Sequence, residues 1–203
     1  MAGINIGIAG YMGSGKSTCA GFFSQYDATV INADTVAKEM MDSETAIRKR
    51  LRKLFGDTIF NNNTIDYTTL GVFAFESLDT LRQLNAIVHP PLLERLQSIC
   101  TDSNDALCVC DAALISYWGI EDWFDTLLWV HASRDIRLKR LQRKGTLSTD
   151  ELVKRIDLQE TLFKEPEKGP WIRLLNESTP ENFVGEIKTK STLNFSSYPF
   201  KEG

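Results

Sequence analysis

An octapeptide near the start of the chain, Gly10 to Ser17 (GYMGSGKS), constrains most strongly what this sequence can become. It stands between an alternating run, Ile4, Ile6 and Ile8, and a stretch from Ser17 to Phe23 with no breaker before Gly21. The local order is therefore strand, loop, helix. Gly10, Gly15, Lys16 and Ser17 complete the G-x-x-x-x-G-K-[ST] spacing in the context that it requires. Glycines let the backbone curl so that successive N–H groups face one anion, Lys16 reaches the β- and γ-phosphates of a nucleotide, and the Ser17 hydroxyl binds Mg²⁺. With glycine at about 7% of residues, a chance match in a chain of this length is on the order of one in a hundred. The nucleotide-binding candidates are Gly13, Ser14, Gly15, Lys16, Ser17 and Thr18. Thr18 either adds a hydroxyl beside the nucleotide or only faces the helix N-terminus.

Composition narrows the rest. Lys and Arg number 23 against 27 Asp and Glu, a formal net charge of -4, whereas general binders of nucleic acid or anionic membrane are normally basic. Phosphate handling must then be local, with neither nucleic acid nor membrane as partner. No run approaches the roughly 18 apolar residues that span a bilayer, and MAGINIGIAG lacks the basic flank and cleavage site of a secretory signal. Cys19, Cys100, Cys108 and Cys110 lack the spacing of a disulfide framework and read as reduced packing residues of a cytoplasmic protein.

Along the chain, strand-like runs recur between helical ones, which implies parallel pairing with right-handed crossovers. Strands are expected at Thr29 to Ala33, Leu107 to Cys110 (ending in Asp111), Thr126 to Val130 and Trp171 to Leu175. Between the second and third, apolar spacing predicts helices from Ile47 to Phe55, from beyond the Asn61 turn to a stop at Pro90, and from Pro91 to Cys100. Ser133 reads as the N-cap of a basic helix reaching about Arg143, Ser148 with Glu151 fits a capping box, and the tail from Lys188 has no clear period.

A phosphate loop identifies a donor and leaves the reaction open. The N-K-x-D and D-x-x-G elements of GTPases are absent, and a compact chain with a helical insertion suits a small-molecule kinase that excludes water by closing. Asp34 follows the second strand at the carboxyl edge of the sheet, where open parallel sheets bind ligands. It serves either as the base that accepts an acceptor hydroxyl's proton or as the N-cap of the next helix. Asp111, ending the third strand, is a second candidate for Mg²⁺, through water. On the basic helix, Arg137, Arg140 and Lys144 share a face, and Arg140 is the choice for stabilising the transferring phosphoryl group.

These residues resemble the dephospho-CoA kinase family. The match runs from Gly13–Thr18 through Val30–Asp34, Phe55-Gly56, Ile65-Asp66, Leu70-Gly71, Phe75 and LRQLNAIVHP at Leu81–Pro90. It continues with Arg140, then Arg155, Ile156 and Gln159, and ends near Asn176. The resemblance implies an α/β, P-loop kinase fold: a parallel sheet flanked by helices, a helical acceptor-binding insertion and a small helical lid. The implied division is a nucleotide-binding core at 1–35, 105–140 and 165–203, an insertion at 36–104 that binds CoA, and a lid at 141–164. It further implies ATP and dephospho-CoA as substrates, Mg²⁺ as cofactor, and Asp34 as catalytic base with Lys16 and Arg140. Asn176 falls near the adenine. His89 falls at the acceptor site, or is a polar helix end beside a Pro stop. The basic run Arg48 to Lys53 is either a solvated helix surface or a site for the CoA diphosphate. Asn32, Tyr67 and Ala113–Tyr117 depart from the family pattern on the acceptor side. The alternatives are another small P-loop kinase and a degenerate nucleotide-binding regulator; the oligomeric state stays open.

Overall fold

The computed structural model describes residues 3–102, 106–191 and 193. They divide into two compact units, one from Met1–Asn32 with Cys100–Gly203 and the other Ala33–Ile99.

The first unit is built on β1 (Ile4–Ala9), β2 (Thr29–Asn32), β5 (Leu107–Asp111), β6 (Thr126–His131) and β7 (Trp171–Leu175), with β3 (Phe60–Asn61) and β4 (Thr64–Ile65) in the second unit. The sheet order is β2-β5-β1-β6-β7, and each neighbouring pair is parallel. The central strand is thus β1, and the phosphate loop leaves its carboxyl end. Register places Asp111 beside both Ile8 and Asn32, so two polar side chains end neighbouring strands next to that loop. Ile6, Ile8, Leu107, Val109, Leu128 and Val130 bury one face of the sheet against α1 (Lys16–Ser24) and α9 (Pro180–Lys190), through Phe22, Phe23, Phe183 and Ile187. Full burial of each such side chain contributes about 1.5–3 kcal/mol. On the opposite face Trp129 meets the edges of Tyr11 and Trp171, at centroid distances of 5.4 and 6.0 Å. A single-turn helix, α6 (Ile115–Trp118), occupies the departing segment after β5. Helices α7 (Arg134–Lys144) and α8 (Thr149–Leu162) follow β6.

The second unit holds α2 (Ala33–Ser43), α3 (Thr45–Phe55), α4 (Tyr67–Ala74) and most of α5 (Leu78–Asp102), with a short antiparallel hairpin of β3 (Phe60–Asn61) and β4 (Thr64–Ile65). Two expectations change here. The long helix before Pro90 is two, because Ser77 and Thr80 exchange side-chain to backbone hydrogen bonds and start α5 afresh. The helix does not stop at Pro90 but continues through Pro90 and Pro91. Proline has no N–H to give the carbonyl four residues back, and the Ala86 carbonyl instead accepts from Arg50 Nη2 at 3.3 Å. Of the basic run, Arg48 donates to Asn63 and Arg52 to Asp57, with both guanidiniums over the Phe60 ring. These three arginines are engaged in holding the unit together.

In the first unit the capping box of Ser148 and Glu151 forms in full. Ser133 stands at the N-cap of α7 without a side-chain capping bond. Lys188 lies in the last turn of α9, so that part of the expected tail is helical; residues 192 and 194–203 lie outside the described residues.

Candidate active site

The loop residues come together as a cradle at the N-terminus of α1. Gly15 is the N-cap, at φ +103 in the left-handed region, and the space behind it is filled by the Asn176 side chain. Gly13, at φ +77, lies against the backbone of Arg137. An alanine at position 15 meets both strain and overlap. Gly15→Ala should lower stability by about 1–3 kcal/mol and abolish binding of a non-hydrolysable ATP analogue. A variant that melts and binds like the parent would count against this packing.

The cradle opens on a cleft of about 390 Å³ lined by Gly13, Gly15, Lys16, Ser17, Thr18, Arg140 and Asn176, which sequence had singled out. Lys144, Ser178, Pro180 and Phe183 complete the lining. Lys16 opens α1, where the helix dipole and the free N–H groups already favour an anion. Ser17 Oγ donates to Asp111 Oδ2 at 2.8 Å, and the Asn32 amide donates to the same oxygen at 3.1 Å. Asp111 is 4% exposed. A serine hydroxyl beside a buried carboxylate offers hard oxygen donors of the kind Mg²⁺ takes when it is shared with nucleotide phosphates, so the donor set fits that ion.

Arg140 spans the cradle. Its Nη1 donates to the Ser14 carbonyl at 3.2 Å, and its Nη2 to the carbonyl and side-chain oxygens of Asn176 at 2.9 and 3.1 Å. Asn176 Nδ2 donates to the Ser14 carbonyl at 2.8 Å, and its own N–H to the His131 carbonyl at 2.8 Å. Burial first, then the neighbouring Arg143, lowers the Arg140 pKa. Arg137 does not share this role. It is buried, donates to the Ala132 carbonyl and pairs with Glu160.

Two contacts of the loop were not legible in the sequence, although Gln159 itself stands in the family match. Gln159 Oε1 accepts the Met12 N–H at 2.7 Å, and the Tyr11 hydroxyl accepts from the Glu165 N–H at 2.9 Å. Burial, as the main cause, raises the Tyr11 pKa. Neither contact has a local signal, because the partners lie far apart in sequence.

In the second unit Asp34 lies in the first turn of α2, one residue past its start, and is exposed. It is not the N-cap of that helix. His89 is half-buried within α5, and burial lowers its pKa to about 4, so its imidazole is neutral at pH 7. Tyr67 donates to the Lys38 carbonyl at 3.0 Å, and Asp66 caps α4 through the N–H groups of Thr68 and Thr69.

The model of the dephospho-CoA kinase family matches residues 4–177. The chain belongs to that family. A dephospho-CoA kinase of Oceanobacillus iheyensis is 32% identical over 180 residues, which cover 87% of this chain and 90% of the relative. A dephospho-CoA kinase of Bacillus licheniformis is 30% identical over 168 residues, covering 81% and 84%. Among solved structures, TT1252 from Thermus thermophilus superposes with a TM-score of 0.73 at 23% identity, over 93% of this chain and 96% of that one. Dephospho-CoA kinases are transferases that use ATP as donor. Among the described residues, no helix is long and apolar enough to cross a membrane.

Proposed function

We propose that the chain transfers the γ-phosphoryl group of ATP to the ribose 3′-hydroxyl of dephospho-CoA, giving coenzyme A and ADP in the cytosol. The observation that carries this reading is the cradle with Lys16, Arg140 and the Ser17–Asp111 pair at one cleft. The acceptor oxygen forms a bond to the γ-phosphorus as the bond to the ADP oxygen breaks, and the acceptor proton passes to Asp34. Asp34 stands two residues beyond Asn32 in the chain, at the exit of β2. Lys16 balances charge on the bridging and γ-oxygens, and Arg140 adds a planar cation to the same group. Ser17 and Asp111 would hold Mg²⁺, Asp111 through water; the ion neutralises β- and γ-phosphate charge when bound. In the proposed division, the core is 1–35, 105–140 and 165–203, segment 36–104 carries the acceptor with His89, and 141–164 forms the lid. Asn176 braces the loop that faces the nucleotide and closes the cleft on the adenine side.

The test is ADP release from MgATP with dephospho-CoA against nucleosides and other hydroxyl acceptors. Turnover confined to dephospho-CoA is expected; preference for another acceptor would overturn the substrate and point to the Tyr67 and Ala113–Tyr117 departures. Arg140→Ala should reduce turnover about a hundredfold or more and ATP affinity less, because the arginine both clamps the loop and faces the transferring group. Hydrogen exchange across residues 140–164 should slow when MgATP analogue is added. Unchanged exchange with a near-normal Arg140→Ala rate would remove both lid and arginine from the mechanism.

A further inference from the structure

We infer that Gln159 is a positioning residue of the phosphate loop, fixing its tip through the Met12 N–H and so tying donor-site geometry to the placement of α8. The inference rests on the reading of the cradle as an ATP site. The loop is held on two sides by different chemistry. On its carbonyl side, Arg140 and Asn176 take the oxygens of Gly13 and Ser14. On its N–H side, Gln159 Oε1 is the side-chain acceptor that takes a tip N–H among the described residues, at 2.7 Å.

Met12 stands between Gly10 and Gly13, where the backbone turns from β1 into the curl that presents N–H groups to phosphate. An N–H already bonded to Gln159 does not serve the anion. It sets the direction from which the following residues enter the curl. Tyr11 secures the same tip. Its hydroxyl accepts from the Glu165 N–H and donates to the Phe163 carbonyl at 3.4 Å, while the Arg137 guanidinium lies 4.8 Å from its ring centroid. Arg137 in turn pairs with Glu160, one residue after Gln159. The last turn of α8 and the residues after it thus form an outer splint for the loop. Any displacement of that turn pulls on Met12.

A loop freed at its tip spends less time in the binding conformation, and apparent affinity for ATP falls by that fraction. Gln159→Met keeps the length and helix propensity of the side chain and removes the acceptor. Loss of one neutral hydrogen bond corresponds to a KM for MgATP raised about five- to tenfold, with the KM for dephospho-CoA unchanged. The direct readout is amide hydrogen exchange at Met12, resolved by NMR on the full chain. It should accelerate about tenfold or more in Gln159→Met and return toward the parent rate in Gln159→Glu, whose carboxylate still accepts the bond. Equal Met12 exchange in parent and Gln159→Met would overturn the inference, as would a rise of both KM values together. Met12 exchange and binding of an ATP analogue need neither acceptor nor turnover. A chain inactive on dephospho-CoA with protected Met12 would therefore refute the substrate and leave the role of Gln159 standing.

Discussion

Lys16→Ala should lower phosphoryl transfer at least about a hundredfold, a barrier increase of roughly 2.7 kcal/mol. The ammonium leaves the first residue of α1, where it adds a full charge to the partial charge of the helix N-terminus. Two unit charges at about 4 Å attract by some 4 kcal/mol near a protein surface, and by more once water is excluded. Because that charge matters most as the bond to ADP lengthens, the loss should fall mainly on single-turnover rate. Retention of more than about a tenth of the parent rate, when such stabilisation is normally worth 10²-fold or more, would contradict the role. The affinity of the analogue, measured alongside, separates the lost charge from a collapsed loop.

Asp34→Asn is expected to leave MgATP binding near the parent value and to cut turnover by about 10² to 10⁴. The amide keeps the shape of the carboxylate and cannot take the proton. Asp34 lies inside the first turn of α2, so its structural contribution is limited to a favourable helix-dipole term of about 0.3–1 kcal/mol. A melting temperature that barely moves while single-turnover rate collapses is the expected pair of results. Equal losses of ATP affinity with little change in that rate would assign the residue to metal binding or helix stability.

Where the chemistry is local, the sequence was legible. The phosphate loop, Ser148 with Glu151, and the strands of the sheet each carry their signal within a few residues, and each forms where expected, except that Ala33 opens α2 instead of ending β2. Legibility failed where a distant partner changes what a residue can do. Pro90 reads as a stop because nothing nearby shows that Arg50 donates to the Ala86 carbonyl. The β3–β4 hairpin turns through Asn62 and Asn63 in the left-handed region, a conformation that the polar NNN run permits without announcing. In the site, Ser17, Asn32 and Asp111 meet only because the sheet places β5 between β2 and β1. Gln159 is 147 residues from Met12 and finds it through the packing of α8. Arg137 shows the converse: helical spacing put it on a face with Arg140, and the interior claimed it through Glu160.

Strand β1 pairs with β5 and β6 on its two sides, and the loop that follows it is held by Arg140 and Asn176. On the ribosome, the loop is completed long after it is made, since it precedes both of its braces in the chain. At about 5–20 residues per second, some ten to thirty seconds separate synthesis of Lys16 from that of Asn176. Until β5 and then β6 have been made, an apolar strand waits without neighbours, its N–H and C=O edges open to mispairing. A nascent chain released before β7 would carry the whole phosphate motif and Arg140 but still lack Asn176, the side chain that joins the two. Nucleotide capture should thus report on synthesis past Asn176, and products of translation interrupted before it should be ATP-blind despite an intact motif.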